Sequence, residues 1–436
     1  MSNNQEDPKV PDSAQVNGKI IAEQKREKFR VKQQLKLEND QKSKDQDEWF
    51  KKYSNCTTRI DVNDVKKLKE LSANSTAGTI EIPEQHARKR QRVETSSSLQ
   101  NASDLQSQLE YIRPYMNLKE TSSDSSASNN DHPNQCSNSN ATKDRRYFIA
   151  EGTETVRMLL ERSAKDKSGS DLAEIKIHSI LTKPSPFFED PVNLRKTLVK
   201  SYPDCFQGLA DGSHNAGDHV GNGELPFQIV VGSEKALTEI VGFPVARGAM
   251  ACGIVPNYDE IWLDAYLSRK YKENSCIRIL ALDAISDTAN LGSLIRSSAA
   301  FGVHAVILSE DSCDVWYRRC VRVSMGHVLT VPSVRVSDLS STLNALRRKY
   351  EILSYAAVID KDADMVLEQT ERGGISKNWC CVLGNEGNGL SSQVASSCDH
   401  SIRIDMTDSI DSLSVGVAAG ILLHGMRERE VKAIPK

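Results

Sequence analysis

The 436-residue sequence lacks the features that would place it in several large protein classes. Its ten cysteines are scattered and include no CxxC pair, which excludes a disulfide scaffold and a zinc ribbon. No HxxxH or HxH pair indicates a metal site. No apolar run reaches membrane-spanning length, and the polar start resembles neither a signal peptide nor a transit peptide. We therefore expect a soluble cytoplasmic or nuclear protein with reduced thiols, rather than an organellar or membrane protein.

The sequence also has little net charge, −3 from 56 basic and 59 acidic residues. No field of the whole chain would attract a polyanion, so any surface that binds nucleic acid must be local. One local basic cluster is RKRQR at 88–92, which is typical of a nuclear localisation signal or a phosphate-binding patch.

Large apolar residues are scarce before about residue 145. The stretch 120–143 has almost pure linker composition. Residues 19–52 are rich in alternating charges and good helix formers, a pattern that predicts a solvated helix. We predict that 1–145 is a disordered or partly helical charged tail that does not fold alone.

The remainder predicts two α/β domains. In 146–256, the pattern of strand, glycine turn and capped helix occurs at RYFIAEG and again at PFQIVVGSEKALTEIVGF, which predicts a small α/β domain. We predict a linker over 257–275. In 276–432, continuous apolar runs alternate with helical patterns, which predicts a parallel sheet covered by helices on both faces. The predicted strands lie at 277–285, 304–310, 350–358, 379–387 and 400–406, before a closing apolar helix at 414–426.

Ligands of parallel α/β sheets bind at the carboxyl ends of the strands, and three loops at such ends are distinctive. In SDTANLGSLIRSSAAFG, Asn290 lies in the opening turn of a helix and Arg296 lies further along it. A helix start and a guanidinium suit an anionic or polar ligand. By itself, this loop is better interpreted as a capped helix with one exposed arginine.

The second loop, VLGNEGNGLS, contains three glycines that permit tight turns. Glu386 in its middle would repel a pyrophosphate, and the first strand lacks the glycine fingerprint of nucleotide-binding oxidoreductases, so that class is disfavoured. In the third loop, Ser412, Leu413 and Ser414 lead into a helix that is apolar nearly all round. Such a helix must be buried against the sheet or another subunit.

Together, NLGxxxRxxxxFG, LGNEGxGL and SLxVxVAAxILL resemble in order and spacing the three motifs of one enzyme family. It is the SpoU (TrmH-like) branch of the SPOUT RNA 2'-O-ribose methyltransferases. The resemblance covers essentially all of 276–430, including VRVSMGHVLTVPSV between the first two motifs. Residues 146–256 are similar to the family's N-terminal RNA-binding domain.

The resemblance implies a deep trefoil knot in the C-terminal domain, an exception to the rule that chains avoid threading. It also implies S-adenosylmethionine bound within that knot, a homodimer formed through the same domain, and methylation of a ribose 2'-hydroxyl in tRNA or rRNA. Carried over by position, the cofactor would be held by Leu383, Gly384, Ile404, Met406 and Leu413. The catalytic cleft would contain Asn290, Arg296, Glu386, Ser412 and Ser414.

One position departs from the family, because Ser414 stands where an asparagine is usual. A serine is shorter and lacks the paired donors of an amide, which would weaken catalysis. A non-catalytic RNA-binding scaffold that keeps the knotted fold is therefore the competing hypothesis.

The general base is open. A guanidinium is essentially always protonated, so we assign Arg296 to a substrate phosphate or a developing oxyanion. Glu386 would position groups in the cleft, and Ser412 would hydrogen-bond Arg296 or the ribose. His327 lies near the expected cleft, and its role is open.

Overall fold

The computed structural model describes residues 30–36, 38–49, 57–75, 109–116, 118, 146–165, 171–189, 193–206, 225–245, 248–407 and 412–431. The basic run 88–92 and the stretch 120–143 lie outside these residues. The chain divides into two units, 1–57 and 58–436. In the first unit, 30–36 and 38–49 are helical and mostly exposed, as predicted for a solvated helix.

The small domain contains a five-stranded sheet in the order β1-β4-β3-β5-β2. Strand β4 runs parallel to β3, whereas β5 is antiparallel to both β3 and β2. Ser233 caps α5 by accepting a hydrogen bond from Ala236 N at 3.2 Å, as its place before the helical pattern predicts. The strands are β1 (Thr57–Ile60), β2 (Tyr147–Glu151), β3 (Lys176–Thr182), β4 (Gln228–Gly232) and β5 (Ala249–Ile254); the helices are α1 (Val62–Ser75), α2 (Thr153–Lys165), α3 (Pro184–Phe188), α4 (Leu194–Ser201) and α5 (Glu234–Val241).

Two segments from the predicted tail belong to this domain. Ile60 and Leu68, from β1 and α1, are buried in the same cluster as Ile112 and Tyr115. The Tyr115 hydroxyl also donates to the Ser179 carbonyl of β3 at 2.7 Å. The prediction of a tail over 1–145 outside the folded domains is therefore corrected for 57–75 and 109–116, which belong to the small domain. Their few apolar side chains are diluted by polar sequence, yet they fall at spacings that place them on one buried face.

The second domain contains a seven-stranded, all-parallel sheet in the order β10-β12-β9-β11-β6-β7-β8. Every strand predicted from an apolar run is present, which confirms the parallel α/β fold. The strands are β6 (Arg278–Leu282), β7 (Ala305–Leu308), β8 (Ser333–Arg335), β9 (Leu353–Ala357), β10 (Met365–Val366), β11 (Trp379–Leu383) and β12 (His400–Arg403). The helices are α6 (Glu260–Lys272), α7 (Thr288–Phe301), α8 (Arg318–Val323), α9 (Leu339–Tyr350), α10 (Ser392–Ser397) and α11 (Val415–Arg429).

Helices α6 and α9 share one buried cluster with side chains from β6, β7, β8 and β11. Helix α11 lies outside this cluster and contacts both β11 and α7. No helix in the described part of the chain is long and apolar enough to cross a membrane.

The linker predicted over 257–275 is corrected by the structure, because most of it forms α6. Asp259 caps this helix by accepting from Trp262 N at 2.7 Å. Leu263, Tyr266 and Leu267 are buried in the core of the second domain. Charged residues within and after this stretch, Asp264, Arg269 and Lys270, obscure the helical spacing of the apolar ones in the sequence.

The two domains meet where α8 packs against β2. The Glu151 carboxylate lies 3.9 Å from Arg318 Nε and 3.7 Å from Arg322 Nη1. The rings of Phe148 and Trp316 contact each other with centroids 4.7 Å apart. The contact between the two domains is therefore both apolar and ionic.

The end of α11 is anchored beneath the parallel sheet by Glu430, whose side chain is only 8% exposed. Its carboxylate accepts hydrogen bonds from Arg278 Nε at 2.9 Å and from Arg278 Nη2. It also accepts from Trp379 Nε1 at 2.9 Å. Since Arg278 begins β6 and Trp379 begins β11, one side chain joins the last helix to two central strands.

Replacing Glu430 by glutamine should lower the free energy of unfolding by about 3 kcal/mol, because the half-buried Arg278 charge would lose its ionic partner. Urea unfolding followed by circular dichroism measures this loss. The exposed Glu428 provides the matched control, and Glu428→Gln should leave the midpoint unchanged. Equal midpoints for both variants would mean that the anchor contributes nothing.

Candidate active site

The first motif forms the loop between β6 and α7. Asp287 caps α7 by accepting hydrogen bonds from the main-chain nitrogens of Ala289 and Asn290, both at 2.8 Å. This cap fixes the first helical turn and leaves the Asn290 amide free to turn outward. Asn290 Nδ2 donates to Glu386 Oε1 of the second motif.

The second motif forms a tight loop after β11. Asn385 and Gly389 exchange two main-chain hydrogen bonds, of 3.0 and 2.8 Å. A Cβ atom on Gly384 would lie 2.2 Å from the carbonyl carbon of Gly389, so only glycine fits there. The Asn385 amide donates to the Ala284 carbonyl at 2.9 Å, which ties this loop to the first motif. The loop therefore holds Glu386 against Asn290, although the two residues are 96 positions apart.

Arg296 lies further along α7 and is exposed. It forms no ion pair or hydrogen bond with other residues that the structure describes. Below it, α7 packs against α8 so closely that a Cβ atom on Gly292 would lie 2.8 Å from the Cys320 carbonyl oxygen. The arginine is therefore held at the surface by a rigid helix pair and is available to a ligand.

The third motif leads into α11. Ser414 is the N-cap residue, yet its side chain makes no capping hydrogen bond, and both Ser412 and Ser414 are exposed. A Cβ atom on Gly416 would lie 2.8 Å from Ser293 Oγ, so α11 starts against the first turns of α7. The hydrogen bond expected between Ser412 and Arg296 is not formed. The Ser414 hydroxyl is not used for capping and can contact a ligand.

Four of the five residues predicted to hold the cofactor, Leu383, Gly384, Ile404 and Met406, lie at the carboxyl ends of β11 and β12, which flank β9 in the sheet, and the fifth, Leu413, directly precedes α11. Leu383 is buried, whereas Ile404, Met406 and Leu413 are half-buried. Within the described ranges, the main-chain groups of Gly384, Ile404 and Met406 have no hydrogen-bond partner. Half-buried apolar side chains beside free main-chain donors and acceptors suit an adenosine, so these residues fit the implied cofactor.

A cavity of about 660 Å³ lies elsewhere, at the carboxyl ends of β6, β7 and β8. None of the ten predicted site residues lines it. Its walls are polar and acidic, which is a poor match to the apolar half of an adenosine. Its lining includes Asp283, Glu310, Asp311, Asp338, Ser340 and Ser391.

Four supporting residues were missed by the sequence analysis: Asp283, Asp287, Ser309 and Asn385. Asp283 Oδ2 accepts from Ser391 N at 2.8 Å, and Ser309 Oγ accepts from Ala284 N at 2.8 Å. A signal was available, because three of the four follow an apolar strand within two residues. These residues shape the loops rather than face the cleft.

The departure at Ser414 is testable. Ser414→Asn should raise kcat about two- to tenfold, the effect of one added hydrogen bond in the transition state. Ser414→Ala should lower kcat by a similar factor. Thermal stability should change little in Ser414→Asn, since asparagine is an equally good N-cap residue. Equal kcat values for all three proteins would show that this position does not contact the reacting groups.

Comparison with known proteins agrees with this geometry. The model of the SpoU rRNA Methylase family matches residues 278–424. The 23S rRNA (guanosine-2'-O-)-methyltransferase RlmB of Coxiella burnetii is 35% identical over 183 residues, which are 42% of this chain and 70% of that protein. The protein of the same name from Escherichia coli (strain K12) is 33% identical over 171 residues, covering 37% of this chain and 68% of that protein.

A solved structure with a similar fold is the SpoU methyltransferase AviRb from Streptomyces viridochromogenes, with a TM-score of 0.46 and 17% identity. The match covers 64% of this chain and 88% of that one. The residues matched by the family model, 278–424, contain all three loops described above. The chain belongs to the SpoU rRNA methylase family.

Proposed function

We propose that this chain transfers the methyl group of S-adenosylmethionine to the 2'-hydroxyl of a ribose in ribosomal RNA. The observation that carries the proposal is the hydrogen bond between Asn290 and Glu386, which joins the first two motifs, with Arg296 exposed on the helix that also carries Asn290. The third motif begins against the same helix, through Gly416 and Ser293.

When bound, S-adenosylmethionine supplies a methyl group activated by a sulfonium sulfur. The residues of the chain have to orient the ribose oxygen toward that methyl group, and positioning of this kind accounts for much of the rate enhancement of two-substrate enzymes. Asn290 and Glu386 hold each other in place at the cleft. Arg296 binds a substrate phosphate or stabilises the charge that develops on the ribose oxygen.

The choice of ribosomal RNA is supported by the relatives, which are named for 23S rRNA and guanosine 2'-O-methylation. A Staphylococcus epidermidis relative named as a putative TrmH family tRNA/rRNA methyltransferase keeps tRNA as the alternative. The small domain, which packs against the second domain where β2 meets α8, is the proposed RNA-binding part. A cytoplasmic location fits these bacterial relatives, and none of them supports the nuclear alternative.

The trefoil knot and the homodimer that the family resemblance implies are also proposals. Helix α11 packs against α7 and exposes Val417 and Ile421, by 52% and 37%. These residues are one helical turn apart, and a solvated apolar stripe of this kind suits a second copy of the chain. Sedimentation velocity of the full chain measures whether the dimer forms.

Calorimetry with S-adenosylmethionine, followed by transfer of a tritiated methyl group to purified rRNA and tRNA, tests the function. We expect cofactor binding and transfer to rRNA. Transfer to tRNA alone would mean that the substrate is tRNA and not rRNA. Cofactor binding without transfer to any RNA would favour the non-catalytic scaffold.

A further inference from the structure

The proposed function leaves one chemical role without a residue. The 2'-hydroxyl must lose its proton as its oxygen attacks, and Arg296 cannot accept that proton because a guanidinium stays protonated. We propose that His327 is the general base that accepts it. This inference rests on the proposed function.

His327 lies where three elements meet. It begins the short 3-10 turn His327–Leu329, which contacts α7, the helix that carries Arg296. The same turn contacts α2 of the small domain. The preceding Gly326 has φ +84°, and a Cβ atom there would lie 3.1 Å from Thr155 Cγ2 of α2. His327 is therefore placed between the proposed RNA-binding domain and the candidate catalytic arginine.

The hydrogen bonds around His327 favour one tautomer. The Thr330 hydroxyl donates to the His327 carbonyl at 3.1 Å, so its proton is not available to the imidazole. The same oxygen lies 3.4 Å from His327 Nδ1. With its proton directed at the carbonyl, this oxygen favours the tautomer that carries the hydrogen on Nδ1 and leaves the lone pair of Nε2 to accept a proton. The side chain is half-buried, so an RNA ribose can reach it.

The surroundings keep His327 neutral. Burial, and then the positive charge of Arg296, lower the pKa of His327 below its ordinary value of 6.5. From α2, the side chains that face the preceding glycine are Thr155 and Met158, which carry no charge. The charged residues nearby on α2 pair with one another, since Arg157 contacts Glu154 and Glu161. An imidazole in this position is a proton acceptor at neutral pH.

The ribose oxygen forms a bond to the methyl carbon, and the carbon–sulfur bond breaks with its electron pair left on sulfur. The hydroxyl proton passes to Nε2 of His327 and then to solvent. Arg296, close by, stabilises the negative charge on the ribose oxygen as the proton leaves.

His327→Gln in the full-length protein tests the proposal, with His400→Gln, at the amino end of β12 and away from the motif loops, as the control. We expect kcat to fall about 100-fold or more in His327→Gln, the usual contribution of a general base, and to stay unchanged in the control. The KM for rRNA and the Kd for S-adenosylmethionine should stay within about twofold. The loss of kcat at acid pH in the native enzyme should also disappear in the variant.

A readout independent of turnover is the histidine proton NMR titration of the full chain. The resonance absent from His327→Gln should titrate below pH 6.5, and its midpoint should rise in Arg296→Gln because a repelling positive charge is gone. A native rate in His327→Gln, or a raised KM for rRNA with unchanged kcat, would overturn the base assignment alone. Absence of transfer by the native protein would instead overturn the proposed function.

Discussion

Replacing Gly384 by alanine is expected to lower kcat/KM about 100-fold or more and to abolish measurable binding of S-adenosylmethionine. The added Cβ atom would lie 2.2 to 2.3 Å from main-chain atoms of Gly389 and Leu390, which cannot swing aside as a side chain can. The loop must open, and displacements of about 1 Å at a positioned site cost rates of this size. Calorimetry and the transfer assay measure the two effects.

The same loop supplies a matched control in Gly387. A Cβ atom on Gly387 meets nothing closer than Asn385 Oδ1 at 3.4 Å, so Gly387→Ala should bind the cofactor and turn over normally. If both variants bind S-adenosylmethionine as the native protein does, the loop after β11 is not part of the cofactor site. If both variants lose binding, the loop tolerates no added side chain at either glycine, and the close contact at Gly384 is not the specific cause of the loss.

Arg296→Gln is expected to lower kcat about 100- to 1000-fold, the range found when one charge-stabilising donor is removed from an active site. The fold should not suffer, because Arg296 is exposed and forms no ion pair with any described residue. Binding of S-adenosylmethionine should persist, since the residues that fit the cofactor lie on other loops. Single-turnover transfer to rRNA measures the loss.

Arg348 is a suitable control for charge alone. It is exposed on α9, which packs in the cluster with α6 and outside the three motif loops. Arg348→Gln should leave kcat unchanged. Equal, small losses in both arginine variants would mean that the basic surface attracts RNA in general and that Arg296 has no special place in the reaction.

The parallel sheet was predictable because its strands are buried on both sides. Runs such as ILAL in β6 and WCCVL in β11 are continuously apolar, and few other structures accommodate them. The glycine loop was also predictable, because the tight turn after β11 leaves no room for a side chain at Gly384. A residue type that fits only one kind of local structure is enough to predict that structure from the sequence.

Other features depend on contacts between distant parts of the chain. Helix α6 has the composition of a linker because charged residues flank its three buried ones, which become part of the core only by packing with α9 against the sheet. The contact between Glu430 and Arg278 spans 152 positions. The contribution of 109–116 to the small domain likewise depends on a partner strand much later in the sequence. The sequence pattern around each of these residues does not indicate which distant residue it contacts.

The position of the transferred methyl group tests the central claim most directly. After reaction with tritiated S-adenosylmethionine, rRNA is hydrolysed by alkali, which cleaves only beside a free 2'-hydroxyl. We predict that the label remains in alkali-resistant dinucleotides and that it is lost with Arg296→Gln. Label released as mononucleotides would show methylation of a base, and that result would contradict the assignment of this chain as a ribose methyltransferase.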